Sequence, residues 1–288
     1  MKELLSIPIK FLFVSIGLIL LSALTGLFRG GARPEWELYT EQVRSILVAF
    51  VHPEKLTVTT LSGKEYPFFQ DFWDVYSYSL AIFLPALFLS LFLSLLLTYL
   101  TILLPDGIRR RITRTAALLE STPDLLIIMI IQGGALYIMR ETGVLLFSVA
   151  ATASDPTYIL PIIALSLIPS LMFYKVTLYL VNDEFKEPYI DLIRSKGFTE
   201  SYIFYRHILR NIAPSLFTHS KAILLLLLSS MVIFERIFNI PGIFTYLIRF
   251  PEPDVIAVSL IAFYVPIFLL YAIVTGLIGR STGQRLEW

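Results

Sequence analysis

The sequence contains no cysteine, which removes disulfides, thiolate nucleophiles and cysteine-based zinc or iron–sulfur sites. Charge is scarce: 16% of the 288 residues are charged and 56% are hydrophobic, which is not a soluble balance. The formal net charge is +1 and the basic residues are scattered among short loops, so the electrostatic footprint of a nucleic-acid binder is missing. There are only three histidines, His52, His207 and His219, and no His-Glu-x-x-His pattern, so a zinc hydrolase lacks its ligands. A phosphate-binding loop is absent too. The one Gly-Lys pair, Gly63-Lys64, has Val58 where the first glycine belongs and Glu65 where Ser or Thr belongs, so this chain is not itself an ATPase. Serines are plentiful, but no Gly-x-Ser-x-Gly elbow occurs and no predicted span pairs an acid or a histidine with a serine. No carboxylate is expected at mid-span, where an ion-coupled carrier generally needs one.

What the chain has in abundance is long apolar runs. Residues 8–28 can cross a bilayer core of about 30 Å at about 1.5 Å per residue, and are too long for the apolar region of a signal peptide. Further spans are predicted over 78–104, 124–139, 158–181, 216–234 and 255–278. The expected class is an all-α polytopic membrane protein with six transmembrane helices. Between the first two spans, residues 29–77 read as a cap packed on the membrane part, with an amphipathic helix over 34–50 and a hairpin turning at Ser62-Gly63. Phe68, Phe69, Phe72, Trp73, Tyr76 and Tyr78 crowd the end of this cap and mark a membrane boundary. Residues 78–288 read as a five-helix core.

Six spans put both termini on one side. Thirteen basic residues share that side: Lys2, Lys10, Arg109, Arg110, Arg111, Arg114, Lys186, Arg194, Lys196, Arg206, Arg210, Arg280 and Arg285. The opposite loops hold eight, so both termini are expected in the cytoplasm and residues 29–77 outside it. Lys175 and Lys221 fall within spans close enough to the cytoplasmic end for their stems to reach the interface.

Residues 184–214 form a polar island between the fourth and fifth spans. Pro188 suits a first helical turn and Gly197 a left-handed position just past a helix end, which predicts a helix over 188–196. Arg194 and Lys196 fall at its C-terminal end and Glu187 at the opposite one, each matching the helix dipole. Thr199 can cap a second helix, on which Tyr202, Tyr205 and Leu209 share one face and Arg206 and Arg210 form a basic edge. From spacing alone, an ordinary interfacial connection is equally consistent.

The order Glu187, Tyr189, Ile190, then Arg194, Ser195, Lys196, Gly197, then Arg206, His207, Arg210, Asn211 and Pro214 resembles the cytoplasmic coupling loop, the EAA loop, of ABC-importer permeases, in the branch that imports peptides, nickel and related solutes. That branch typically reads Glu-Tyr-Val, Arg-Ala-Lys-Gly, Arg-His, Arg-Asn and a proline. This chain departs from it at Pro188, Asp191, Leu192 and Ile193. A second stretch, Val232 and Ile233 through Glu235 and Phe238 to Pro241-Gly242, is similar to the family's Val-Val-x-Glu-x-x-Phe-x-x-Pro-Gly.

The resemblance implies a type I ABC-importer permease subunit in a bacterial or archaeal cytoplasmic membrane, with residues 184–214 as its cytoplasmic coupling loop and the helix over 188–196 as its coupling helix. It implies a second homologous permease, two cytoplasmic ATPases and an extracytoplasmic solute-binding protein as partners, with peptides, nickel or metallophore complexes as cargo. No cofactor is expected on this chain, ATP and Mg being used by the ATPases, and the coupling contacts fall on Glu187, Tyr189, Asp191, Arg194, Lys196, Gly197, Arg206, His207, Arg210, Asn211 and Pro214. Gln132, Ser166, Ser170 and Glu235 are the candidates for a translocation path or gate. Ser90, Ser94 and Thr98, like Ser166 with Ser170, have the spacing of close helix packing, with a wetted path as the second reading. An intramembrane hydrolase and a secondary transporter remain the alternatives from other classes.

Overall fold

A computed structural model describes residues 2–27, 34–60, 62–144, 147–152 and 155–282 of the chain, with side chains from residue 8 to residue 280. The predicted end of the first span at Phe28, the start of the cap at 29–33 and the C-terminal residues 283–288 lie outside these. Six helices among the described residues are long and apolar enough to cross a membrane: Pro8–Leu27, Phe69–Ile102, Asp124–Thr142, Ile159–Glu184, Glu200–Ile237 and Pro253–Arg280. The chain divides into two compact units, one of residues 1–80 with 241–274, the other of residues 81–240 with 275–288.

In the first unit, helix α1 (Lys2–Leu27) packs on α2 (Trp36–Val51) through Ala23 and Ile46, with Ala257 of α11 (Pro253–Thr282) closing the cluster. Strands β1 (Thr57–Thr59) and β2 (Glu65–Pro67) then form the antiparallel hairpin, with Val58 opposite Tyr66. Val58 is buried and its neighbours exposed, the alternation of a half-buried strand. Gly63 supplies the turn's left-handed residue at φ 77°.

Helix α3 (Phe69–Ile102) starts nine residues earlier than the sequence reading placed the second span. No proline or glycine interrupts the aromatic run, and Asp71 in the first turn complements the helix N-terminus. Phe68 and Phe72 are therefore buried, with centroids 4.6 Å apart, and do not simply mark an interface. A short helix, α10 (Ile243–Arg249), was not expected; the Ser79 hydroxyl accepts from the amide of Ile243 at 2.7 Å and orders its start.

In the second unit, the Arg109–Arg114 region is an amphipathic helix, α4 (Asp106–Glu120), where the sequence reading saw a charged connection. Its Ala116 and Ile112 pack on Tyr174 and Leu178 of α6 (Ile159–Glu184), and Glu120 pairs with Lys175 at 3.2 Å. Lys175 thus has a carboxylate partner as well as an exposed stem. Helix α5 (Asp124–Thr142) follows, with Asp124 as its first residue. The Asp124 carboxylate accepts from Ser230 Oγ at 2.7 Å and stands near Leu165, Ile168 and Pro169.

Candidate functional site

The 184–214 segment folds as the sequence proposes at its first helix, α7 (Pro188–Ser195), one residue shorter than expected. Pro188 occupies the first turn, and Glu187 before it is extended at φ −70°, ψ 135°. At the other end the amides of Lys196 and Gly197 close on Ile193 and Arg194 carbonyls at 3.1 and 2.9 Å. Gly197 sits at φ 83°, where an L side chain costs about 1–2 kcal/mol. An added Cβ there meets nothing within 4 Å, so the only penalty of a side chain is the backbone conformation.

Arg194 spans the turn. Its Nε and Nη2 donate to Glu200 at 2.7 and 3.2 Å, its Nη1 lies 3.5 Å from Asp191, and its guanidinium stands 5.5 Å over the Phe185 ring. Thr199 accepts the Tyr202 amide at 3.4 Å and caps α8 (Glu200–Ile203), as its position suggests.

A second brace joins three elements. Tyr189 Oη donates to Glu184 Oε1 at 2.6 Å, while Asn211 Nδ2 donates to the same oxygen at 2.9 Å and to Tyr189 Oη at 3.1 Å. The last residue of α6, helix α7 and the start of α9 (Leu209–Ile237) are thereby tied at one point. Burial first, and then the Glu184 hydrogen bond, push the Tyr189 hydroxyl well above its ordinary range, so it stays a donor. Beneath the brace Ile190 is fully buried with Val181, Ile203, Phe204, Ile208 and Ile212. Each such side chain is worth about 1.5–3 kcal/mol of burial. Tyr99 of α3 reaches this core, bonding Ser201 at 2.8 Å with its ring 5.3 Å from Phe204.

Two features of this stretch carry no mark in the sequence. Residues 204–208 form a π turn, with the Leu209 amide bonded to the Phe204 carbonyl. The buried face here is Ile203, Phe204, Ile208 and Ile212, while Tyr202 and Tyr205 are 42% and 57% exposed. The second helix also runs straight into the fifth span: the helical path extends from Glu200 to Ile237, with Pro214 buried inside α9.

The outer side of this braced helix is bare. Leu192 is 58% exposed and Phe198 45%, with Phe198 stacked on Tyr202 at 4.6 Å. Glu187, Asp191, Lys196, Arg206 and Arg210 are exposed around them, and His207 lies beside Tyr202 and Tyr189 at 5.7 and 6.5 Å. An apolar crest with a charged rim is the anatomy of a protein interface. Sequence reasoning passed over Leu192 and Phe198, although apolar residues flanking the glycine of a polar island are a readable signal.

The residues named for a path turn inward. Gln132 donates to the Val149 carbonyl at 3.0 Å and reaches that of Ile237 at 3.5 Å. Ser166 and Ser170 are buried and bond carbonyls of their own helix at 2.9 and 2.6 Å, and Ser90, Ser94 and Thr98 are likewise fully buried. Glu235 is buried, and its carbonyl accepts the Ile240 amide at 2.7 Å. The exposed surface belongs instead to α5, where Leu125, Leu126, Met129 and Ile130 are 47–65% exposed and Gly133 and Gly134 adjoin open space.

Six long apolar helices among the described residues, the fourth and fifth joined through a braced short helix, define a polytopic all-α membrane protein. The chain belongs to the family described as the binding-protein-dependent transport system inner membrane component, whose profile matches residues 103–284. It is also similar to the dipeptide transport system permease protein DppB of Lactococcus lactis subsp. cremoris (strain MG1363), 28% identical over 146 residues. That match covers 49% of this chain and 48% of the relative, about half of each.

Proposed function

We propose that this chain is one permease subunit of an ATP-driven ABC importer and forms half of a translocation path for peptides or a related small solute, such as a nickel or metallophore complex. The supporting observation is α7: a short helix braced on both sides, with an apolar crest left bare between the fourth and fifth spans. A lever must be stiff internally and adhesive externally if a movement at its tip is to reach the membrane helices. The partners are a second homologous permease, two cytoplasmic ATPases that use ATP and Mg, and an extracytoplasmic solute-binding protein. In this assembly the bare face of α5 packs on the second permease, and both termini lie in the cytoplasm of a bacterium or archaeon. Peptides lead the cargo classes because the similar Lactococcus protein is named for dipeptide transport.

Replacement of Gly197 tests the lever. Its φ of 83° resists a β-branched side chain while the surrounding space accommodates one, so Gly197→Val re-aims α7 without crowding its neighbours. In the reconstituted complex, uptake per assembled complex is expected to fall in the order wild type, Gly197→Ala, Gly197→Val, with valine lower by about tenfold or more, the equivalent of about 1.4 kcal/mol. Binding-protein-stimulated ATP hydrolysis should fall with it. Wild-type uptake by a normally assembled valine variant would make the segment a mere connector.

A further inference from the structure

Helix α4 carries cations that the chain does not neutralise. Arg109 is engaged, donating to the Ile102 carbonyl at 2.9 Å and lying 3.8 Å from Asp106, and Glu120 is taken by Lys175. Arg110, Arg111 and Arg114 are exposed and form no ion pair among the described residues. Arg110 and Arg114 stand one turn apart, a like-charge spacing that weakens a helix and that a shared anion relieves.

Packing fixes the level of these charges. Ala116 packs on Tyr174 and Leu178 of α6, Glu120 meets Lys175, and Asp124, just beyond α4, stands near Leu165 and Ile168. Rising numbers on one helix meet falling numbers on the other, so the two run antiparallel. Arg110 and Arg114 are therefore level with the stretch from Leu178 to the end of α6 at Glu184. At about 1.5 Å per residue that stretch is about 9 Å deep, comparable to the headgroup and interfacial layer beside the hydrocarbon core. Further in, Leu118 and Leu119 are 66% and 48% exposed.

Between the two helices lies a groove of about 290 Å³, with Thr113, Ala116 and Ala117 on one wall and Leu171, Tyr174 and Leu178 on the other. The Glu120–Lys175 pair, neutral as a whole, also borders it. Arg110 precedes Thr113 by one turn and Arg114 precedes Ala117 by one turn, so both arginines share the groove's side of α4 at its headgroup end. A cationic mouth over an apolar slot matches a molecule with an anionic head and a hydrocarbon tail. An acidic protein surface would match the arginines but not the slot, nor the bare leucines beneath them.

We infer that the groove between α4 and α6 binds an anionic phospholipid, with Arg110 and Arg114 holding the phosphate and the groove one acyl chain. Only the choice of the cytoplasmic leaflet rests on the importer reading, through its topology. Lipid binding is measured on this chain alone, so its failure leaves that reading intact, and failure of the Gly197 experiment leaves the lipid site intact.

The test delipidates the full chain in detergent and titrates it by native mass spectrometry with three probes. Dioleoyl phosphatidylglycerol carries the anionic head and the tails, dioleoyl phosphatidylcholine masks the same phosphate with choline, and glycerol 3-phosphate is a head alone. Phosphatidylglycerol is expected to bind at least about fivefold more tightly than phosphatidylcholine and at least about tenfold more tightly than glycerol 3-phosphate. Arg110→Gln/Arg114→Gln should erase the preference between the lipids with an unchanged melting temperature, whereas Lys64→Gln/Arg140→Gln, which removes the same charge elsewhere, should keep it. Ala117→Trp, at an exposed position on the groove wall, should weaken both lipids alike. Equal binding of the two lipids, a preference that survives in Arg110→Gln/Arg114→Gln or falls equally in the control pair, or glycerol 3-phosphate binding as tightly as the lipid would each overturn the inference. So would an Arg110→Gln/Arg114→Gln complex that keeps its lipid preference but sheds its ATPases, which would make the arginines a protein contact.

Discussion

The α7 segment and the hairpin end hold their shape by opposite means. Around α7, polar groups are paired to one another: Glu184 with Tyr189 and Asn211, Arg194 with Glu200 and Asp191, above a small aliphatic core. At the hairpin end, rings do the holding. Phe68 packs on Phe69 and Phe72 at 4.9 and 4.6 Å, and Tyr246 lies 4.8 Å from Phe250, while Asp71, Asp74 and the Tyr246 hydroxyl remain unmatched. Directional bonds fix the angle of an element, whereas ring packing fills volume and fixes angle less tightly. Bonded pairs suit an element proposed to transmit movement, and packed rings suit a wall that only fills space.

The largest effect on stability is expected at the hairpin end. Phe68→Ala empties a fully buried site and should destabilise the chain by about 3–5 kcal/mol, read as a lowered melting temperature, with coupling per assembled complex unchanged. A coupling defect with intact stability would erase the contrast between the two regions. Tyr189→Phe comes next. It removes a hydrogen bond to a carboxylate, worth about 1.5–3 kcal/mol, and amide exchange over 190–195 should quicken by roughly tenfold or more while the hairpin amides stay protected. Equal loosening of both regions would mean that the brace is not local. The smallest effect belongs to Arg194→Lys, which loses the two-point contact with Glu200; both side chains are about half exposed, so about 0.5–1 kcal/mol is expected, seen as a modest rise in exchange around Gly197.

Much of the molecule is legible from local pattern. The six apolar runs reappear as six long helices; Pro188, Gly197 and Thr199 act as the caps their chemistry suggests, and Ser62-Gly63 turns the hairpin. These signals are carried by residues close in sequence. What escaped depends on partners far along the chain. Asn211 meets Glu184 across 27 residues, and Ser230 meets Asp124 across 106, distances that no helical or strand period encodes. The π turn at 204–208 escaped because one added residue in a turn leaves no compositional mark yet rotates every later side chain. Helix α4 was hidden by its arginines, which read as a solvated connection until Ala116 and Ile112 are seen packed on α6.

The central claim, that the bare crest of α7 is where an ATPase docks, is tested most directly by proximity. The chain has no native cysteine, so a single cysteine can be placed at Leu192 on the crest or, as an equally exposed control, at Trp36 on α2. In the assembled complex with a cysteine on the ATPase surface, Leu192→Cys should cross-link to the ATPase and change its yield on ATP addition, while Trp36→Cys should not cross-link at all. Cross-linking from Trp36→Cys, with none from Leu192→Cys in a complex of normal composition, would contradict the claim.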